Sequence, residues 1–301
     1  MEKTLPRIDT AACIGCGACA RLCPSGVLSC DGETARVVAD GCIGCGHCAA
    51  LCPAGAVTLD GGDDWAESFA TVSPAGKVFA PGTFSADVLI DLLRSRRSCR
   101  RYTPEPVPGP VLDDLVRAAV TAPSGTNSQA WTFTILPTRQ AVLQLGEAVA
   151  GFFRRINRLA ANALVRKSYA LLGRSELENY YREHYRAVAS ALKKWDRDRT
   201  DLLFHGAAAV IVVGSLPGAS CPGEDALLAT QNMLLAGHAM GLGSCLIGYA
   251  VEAIRHDRRV RAAAGLPARE TVHAVVALGW PDVVFLRHTG RRRPVVRYRT
   301  A

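Results

Sequence analysis

Eight cysteines near the start of the chain form two runs of identical spacing, CIGCGACARLCP (13–24) and CIGCGHCAALCP (42–53). Each run follows the pattern C-x2-C-x2-C-x3-C-P, which is typical of the ligands of a [4Fe–4S] cluster. The cysteines are Cys13, Cys16, Cys19 and Cys23, and then Cys42, Cys45, Cys48 and Cys52. Zinc is the competing metal, but a structural zinc site needs only four ligands in two separated pairs. The pattern therefore predicts iron–sulfur chemistry.

The duplicated runs resemble the two-cluster bacterial ferredoxins over about residues 5–60. In that family the fourth cysteine of each run binds the other cluster. The resemblance thus implies two clusters, one held by Cys13, Cys16, Cys19 and Cys52 and the other by Cys42, Cys45, Cys48 and Cys23. His47, which stands where the first run has Ala18, is expected to be an exposed loop histidine. Because a ferredoxin only carries electrons, the rest of the chain must determine where they go.

Three further segments have residue types suited to binding an anion or a planar heterocycle. RRSCRRYTPEPV (96–107) and GRRRP (290–294) combine arginines with a hydroxyl or a turn, which can bind a phosphate. APSGTNSQAWTF (122–133) joins a Pro-Ser-Gly turn to amide side chains that can hydrogen-bond a ring. Each segment alone is also compatible with an ordinary solvated turn.

Helices and strands that would position these segments alternate along the chain after residue 85. Ser85 is a predicted N-cap, helices are predicted over 108–122 and 226–243, and strands over 131–137, 207–215 and 272–280. Little periodicity precedes Ser85, so that stretch is interpreted as a connector. The sequence predicts an α+β protein with three parts: a small ferredoxin-like domain (1–62), a linker (63–84) and a layered domain (85–301), in which helices flank a mixed sheet.

Taken together, the three segments and GLGSCLIGY (241–249) resemble the FMN-dependent nitroreductase family over about residues 85–300. The resemblance implies FMN at the interface of a homodimer. It places Arg96 and Ser98 near the phosphate, Arg100 nearer the ring, and the backbone N–H of Gly248 at flavin N5, where a fixed donor stabilises arriving charge. Two further groups of FMN contacts are implied, Arg291 and Arg293 on the same phosphate, and Pro123, Ser124, Gly125 and Asn127 on the flavin bound mainly by the partner subunit.

The chain departs from that family in its long helical excursion, expected at about 151–203. Within it, Leu177, Tyr181, Val188 and Trp195 belong to a stripe with helical spacing. Tyrosines beside this stripe are expected to stack over the flavin or, more commonly, to pack between helices. There is also no clear counterpart of the family's Asn and Lys contacts to the flavin pyrimidine, so substrate identity is not transferred.

The 301 residues carry a formal charge of +8 that is unevenly distributed. Residues 1–60 are mildly acidic, whereas 151–200 hold twelve Lys and Arg against five Asp and Glu. This basic stretch is either a solvated helix face or a docking site for an acidic electron-donor protein. No nucleic-acid-binding motif accompanies it, and no apolar run is long enough to span a bilayer. We expect a cytoplasmic protein that binds neither nucleic acid nor membrane.

The predicted function is that of an oxidoreductase in which the clusters pass electrons to FMN and then to a small organic acceptor. A nitro compound, a quinone or an activated alkene would serve. NAD(P)H and a ferredoxin-type protein are both candidate donors. One alternative is a flavin dehydrogenase that exports electrons through the clusters. Another is a non-enzymatic electron-transfer or redox-sensing module, which an occluded flavin face would favour.

Overall fold

The computed structural model describes residues 5–59 and 64–300. The cysteine-rich part contains two short antiparallel strand pairs, β1 with β4 and β2 with β3, and two short helices. In chain order these elements are β1 (Pro6–Ile8), α1 (Ala18–Leu22), β2 (Leu28–Cys30), β3 (Ala35–Val37), α2 (His47–Ala50) and β4 (Val57–Leu59). Each helix begins directly after a glycine in the left-handed region, Gly17 (φ 66°) or Gly46 (φ 75°). The repeated glycines thus turn each cysteine run into its helix, since L-residues rarely adopt this conformation.

The larger part contains nine helices and four strands within residues 64–300. In chain order they are α3 (Ala86–Ser95), α4 (Gly109–Ala119), β5 (Trp131–Leu136), α5 (Arg139–Ala161), α6 (Ala163–Leu171), α7 (Glu176–Glu183), α8 (Tyr185–Asp198), β6 (Ala209–Ser215), α9 (Pro222–Ala239), β7 (Gly243–Leu246), α10 (Gly248–His256), α11 (Arg258–Ala263) and β8 (Thr271–Gly279). The three predicted strands are confirmed as β5, β6 and β8, and Ser85 caps α3 by accepting from Val88 N. The helix predicted over 226–243 begins earlier, at Pro222, and its last predicted residue belongs to β7.

The central sheet has the order β5-β6-β8-β7, and these strands pair antiparallel. The four strands of the predicted mixed sheet are thus all antiparallel, and the one parallel contact in the described residues is an isolated bridge between Ser98 and Ser244. The middle strand β6 is buried along its whole length, and its alternate residues face two separate cores. Val210 and Val212 pack with α5 and α10, whereas Ile211 and Val213 pack with α4 and α9. Both faces of the sheet are therefore covered by helices, as the predicted layered α+β fold requires.

The linker is bound to the larger domain through Asp114 of α4. A short 3-10 turn (Asp64–Ala66) lies in the stretch that the sequence predicts to be a structureless connector. The buried Asp114 carboxylate accepts hydrogen bonds from the backbone N–H of Ala70 and Thr71 and from the Thr71 hydroxyl, at 2.6–3.1 Å. The boundary predicted between residues 62 and 63 lies outside the described residues.

The predicted start of the helical excursion lies inside a helix rather than in a loop. α5 starts at Arg139, so the boundary predicted at residue 151 falls within it. The predicted stripe is divided between α7 and α8, because the backbone departs from helical geometry at His184 (φ −122°). Val188 and Trp195 of the stripe are buried, as its spacing predicts. None of the helices in residues 5–59 and 64–300 has the length and hydropathy of a membrane span.

Candidate functional site

Cysteines from both runs line one small cavity in the N-terminal domain. The four cysteines are Cys23, Cys42, Cys45 and Cys48. These are the ligands that the ferredoxin resemblance assigns to one cluster, including the crossover from the first run. Cys13 and Cys19 pack in the adjoining small core, whereas Cys16 is exposed. Within the described residues, no three Cys, His or carboxylate side chains converge as a single metal ion would require.

Backbone N–H groups point at three of the cysteine sulfurs. The bonds run from Ala35 N to Cys13 Sγ (3.4 Å), from Gly44 N to Cys42 Sγ (3.3 Å) and from Ala56 N to Cys52 Sγ (3.3 Å). Such donors stabilise negative charge on sulfur and are one way a protein sets cluster potential. Burial raises the pKa of the Cys19 and Cys48 thiols. A metal that displaces their protons would restore the thiolate form that ligation needs.

Arg96 and the C-terminal segment form a concentration of positive charge beside a cavity of about 450 Å³. Burial lowers the pKa of Arg96, and the nearby Arg97 and Arg291 lower it further. In the described part of the chain, neither Arg96 nor Arg291 has a carboxylate partner. Arg293 is exposed in the same extended segment. Arg96 lines the cavity and Arg291 lies near Arg96, and guanidinium groups without carboxylate partners suit an anion such as a phosphate.

Arg100 and Gly248 line a second cavity, of about 570 Å³. Gly248 is the first residue of α10, so its backbone N–H has no partner within the helix. Burial raises the pKa of Cys245, and the Arg100 guanidinium beside it acts in the opposite direction. The sequence-predicted residues Arg96 and Arg100 thus face different cavities, although only three residues separate them. The predicted FMN contacts at 96–100 are divided between these two spaces.

The loop 123–129 is fixed by a buried carboxylate of α9. Asp225, only 4% exposed, accepts hydrogen bonds from Gly125 N (2.8 Å) and Ser128 Oγ (3.0 Å). Thr126, Asn127 and Gln129 all have positive φ, between 46° and 52°. Such backbone costs free energy in residues other than glycine and persists only where surrounding structure holds it. The loop is therefore a constrained turn.

Asn127 connects this loop to the second cysteine run. Its side-chain Nδ2 donates to the carbonyl oxygens of Gly44 (2.8 Å) and Ile43 (3.3 Å). None of Pro123, Ser124, Gly125 and Asn127 lines either of the two cavities described above. Their predicted contact with the flavin of a partner subunit stays a prediction. The amide of Asn127 lies instead on the loop between two cysteines.

Aromatic residues of the excursion lie over the cavity that Gly248 lines. Tyr180 and Phe153 line this cavity and stack with ring centroids 6.3 Å apart. The Tyr180 hydroxyl donates to Asn157 Oδ1 at 2.6 Å, and burial raises its pKa. Tyr181 instead packs under the guanidinium of Arg166, 3.7 Å from its ring centroid. Of the stripe's neighbours, Tyr180 both packs between helices and faces the cavity.

Two family models match the chain. A 4Fe-4S dicluster domain matches residues 5–53. The nitroreductase family matches residues 93–280, which is more than half of the chain. The chain belongs to the nitroreductase family. It carries a 4Fe–4S ferredoxin-type domain in front of the nitroreductase domain, as its sequence predicts.

Known proteins and structures resemble the nitroreductase domain over much of its length. The chain is 28% identical to an NADH dehydrogenase of Thermus thermophilus over 62% of this chain and 83% of that protein. It is 33% identical to an iodotyrosine deiodinase of Danio rerio, but over only 25% of this chain and 28% of that protein. A nitroreductase with bound FMN from Bacteroides fragilis superposes with a TM-score of 0.50 at 22% identity, covering 70% of this chain and 98% of that chain. This structural likeness shows a shared fold.

The roles of several residues that shape the nitroreductase domain are not predicted from the sequence. Tyr102 is half-buried against two glycines, where a Cβ on Gly279 would meet its ring at 2.8 Å and one on Gly243 at 3.2 Å. Its hydroxyl donates to Cys99 O at 2.9 Å. The motif RRSCRRY could have indicated this anchor through its terminal tyrosine. Asp225 and Asp114 carry no comparable signal, because acids near or within helices are common.

Five of the twelve basic side chains in residues 151–200 form ion pairs in the described part of the chain. Arg154 contacts Glu147 and Asp196, and Arg166 contacts Glu178 at 2.9 Å. Arg199 also reaches Glu147, at 2.9 Å. Exposed ion pairs of this kind contribute little stability, but they reduce the charge available to an external partner. The other seven have no ion pair there, so both predicted roles, a solvated helix face and a docking site for an acidic protein, stay predictions.

Proposed function

We propose that this protein is an iron–sulfur flavoprotein oxidoreductase that passes electrons from two [4Fe–4S] clusters to FMN and on to a small organic acceptor. When bound, the clusters supply single electrons, and FMN combines two of them into the pair that a nitro group, quinone or activated alkene accepts. The observation that carries the proposal is the hydrogen-bonded contact between Asn127 of the nitroreductase domain and the second cysteine run. It places the second cysteine run directly against the nitroreductase domain.

The cysteines are assigned to the two clusters as the crossover pattern requires. The cavity shared by Cys23, Cys42, Cys45 and Cys48 supports one ligand set. The other set is Cys13, Cys16, Cys19 and Cys52. The N–H groups directed at sulfurs in both sets would stabilise the charge that each cluster carries. Free thiols in this number suit a reducing compartment, which the cytoplasm provides.

The FMN phosphate is assigned to the positive charge around Arg96. Arg291 lies close enough to Arg96 to lower the Arg96 pKa, after burial, and an anion would relieve that repulsion. Ser98 and Arg293 are the remaining proposed phosphate contacts. Arg100 and Gly248 would orient the ring, with the free N–H of Gly248 directed at the ring nitrogen where charge arrives.

A homodimer is proposed because the nitroreductase domain leaves apolar side chains uncovered. In α3, Val88 is 61% exposed and Ile90 50% exposed, and Leu286 in the C-terminal segment is 88% exposed. Several large apolar side chains exposed along one helix suit an interaction site. A second copy would cover it and would bring Pro123, Ser124, Gly125 and Asn127 towards the partner's flavin.

Membership of the nitroreductase family favours an enzyme over a relay, and the cavity beside Gly248 is large enough to receive a flavin ring. Its volume of about 570 Å³ lies within the usual range for small-molecule sites, and Tyr180 and His184 contribute polar groups to its lining. In a protein that only relayed electrons, this face would be filled by the excursion. NAD(P)H and a ferredoxin-type protein both remain donors compatible with the proposal.

Stopped-flow mixing of the reduced, anaerobically purified protein with a panel of nitroaromatic compounds and quinones tests the function. We expect the bound flavin to be reoxidised faster than free FMN at the same concentration, with the clusters reoxidised afterwards. An Arg96→Gln variant should bind less FMN. The amount of flavin that is reoxidised faster than free FMN should fall in proportion to the FMN lost. Reoxidation no faster than that of free FMN for every acceptor would contradict the reductase.

A further inference from the structure

We propose that the second cysteine run is the one that delivers electrons to the nitroreductase domain, and that Asn127 is the positioning residue that holds it there. This inference rests on the proposed function, because it concerns the order of the two cluster sites along the electron path. The first run would then face outward, towards the external donor or acceptor.

The contact is made through the backbone of the cysteine run. Ile43 and Gly44 lie between Cys42 and Cys45, and both of their carbonyls accept from the same Asn127 amide. Gly44 N donates in turn to Cys42 Sγ at 3.3 Å. A continuous series of hydrogen bonds thus joins the nitroreductase loop to a cysteine sulfur. Moving this loop would therefore move a proposed cluster ligand.

Asn127 is held in position on its own side of the contact. Gln129 Nε2 donates to Asn127 Oδ1 at 3.1 Å, which directs the amide nitrogen towards the cysteine run. Gln129 N donates to Ser124 Oγ, and Asp225 fixes the loop from beneath. Asparagine is among the few residues that tolerate the positive φ required here. The loop therefore directs one amide donor, Asn127 Nδ2, at the second cysteine run.

The first run makes no such contact in the described part of the chain. Its Ile14 side chain is 65% exposed, and Cys16 is exposed. The backbone of Gly15 lies against its own domain, where a Cβ would meet the Gly32 carbonyl oxygen at 2.2 Å. Within residues 5–59 and 64–300, only the second run is hydrogen-bonded to the nitroreductase domain, and this asymmetry orders the two sites.

An Asn127→Asp variant tests the positioning role without changing side-chain size. Aspartate also tolerates positive φ, but its carboxylate cannot donate and would face two carbonyl oxygens. In the iron- and FMN-loaded full chain, we expect amide hydrogen exchange over 42–46 to accelerate about tenfold, as for a lost hydrogen bond with repulsion added. Exchange over 13–17 should not change. After rapid mixing with dithionite, the clusters should bleach at the normal rate while flavin reduction lags.

Asn162→Asp is the matched control, because the Asn162 side chain only accepts hydrogen bonds, from Leu164 N and Val165 N, and aspartate can replace it. Flavin-free wild-type protein provides a second baseline, which separates any loss of FMN from the loss of docking. Unchanged exchange over 42–46 in Asn127→Asp would overturn the inference. If wild-type flavin receives no electrons from the clusters, the proposed function fails, yet the exchange comparison still decides whether Asn127 docks the second run.

Discussion

The two cysteine runs share their spacing but differ in their surroundings. In the first run Ile14 is 65% exposed and Cys16 is exposed, whereas their counterparts Ile43 and Cys45 are partly buried. In the described residues, the loop 123–129 is hydrogen-bonded to the second run through Asn127 and makes no such bond to the first. A duplicated unit has thus acquired two different environments while keeping its ligand spacing.

The different surroundings of the two runs are determined by residues that lie outside them. Asn127 binds backbone carbonyls, so the Ile-Gly pair that follows the first cysteine can be identical in both runs. The identical spacing suits two proposed clusters, since each would need the same ligand geometry. The information that distinguishes the runs lies in the nitroreductase loop, about 80 residues further along the chain.

The largest effect is expected from removing one cluster ligand in each run. Cys45→Ser should remove the site next to the nitroreductase domain, so electrons entering the first run no longer reach the flavin. Cys16→Ser should remove the outer site only, and a small diffusing donor should still reduce the flavin through the second run. Each variant should lose about half of the iron if the two clusters fill independently. Iron content and stopped-flow absorbance measure both effects.

Cys221→Ser serves as the matched control for these variants, because Cys221 is exposed and lies outside both runs. It should keep the full iron content and the wild-type kinetics. Equal loss of flavin reduction in Cys16→Ser and Cys45→Ser, with half of the iron retained in each, would show that the runs are not ordered as proposed.

A smaller effect is expected from weakening the support beneath the loop. Asp225→Ala leaves Gly125 N–H without its acceptor and Ser128 without its partner. We expect a loss of about 2–3 kcal/mol of stability, since hydrogen bonds to a charged group contribute about 1.5–3 kcal/mol. Exchange over 42–46 should accelerate and exchange over 13–17 should not. Urea unfolding followed by tryptophan fluorescence, together with hydrogen exchange, measures the two responses.

Asp225→Asn separates the charge from the hydrogen-bonding geometry. The amide oxygen can still accept from Gly125 N, and the Ser128 hydroxyl can rotate to accept from the amide nitrogen. This variant should lie between the wild type and Asp225→Ala. Faster hydrogen exchange in both runs would mean that Asp225 stabilises the whole protein rather than the loop 123–129 that contacts the second run.

The sequence predicts this molecule unevenly, for physical reasons. The cysteine spacing, the strands β5, β6 and β8 and the N-cap Ser85 are local patterns that ligand geometry, hydrophobic periodicity or capping dictate. The contact of Asn127 with Gly44 is not local, and it uses backbone carbonyls that every residue has. The connector likewise has no periodicity, although Asp114 binds it firmly. Side-chain-to-backbone contacts between distant segments leave no spacing to detect.

The smallest effect on the docking of the second run is expected from the linker, because its hydrogen bonds to Asp114 depend on pH. Burial opposes ionisation of Asp114, but hydrogen bonds from Thr71 and Ala70 and the Arg117 guanidinium outweigh it and hold its pKa below the usual value. A carboxyl with a depressed folded-state pKa stabilises the protein fully above its unfolded pKa of about 3.9. That stabilisation is lost as the pH falls from about 4 through the lower folded-state pKa.

Exchange at Ala70 and Thr71 should therefore be slow at neutral pH, and the linker should detach only under more acidic conditions than an ordinary aspartate would require. Asp114→Asn should remove this pH dependence. It should lower the free energy of unfolding by about 1–2 kcal/mol, because a hydrogen bond to a charged group contributes more than one to a neutral group. Because a released linker lowers the effective concentration of the N-terminal domain, exchange over 42–46 should rise slightly, by less than in Asn127→Asp. Protection at residues 70–71 that is unchanged in Asp114→Asn would mean that the connector is held by other contacts.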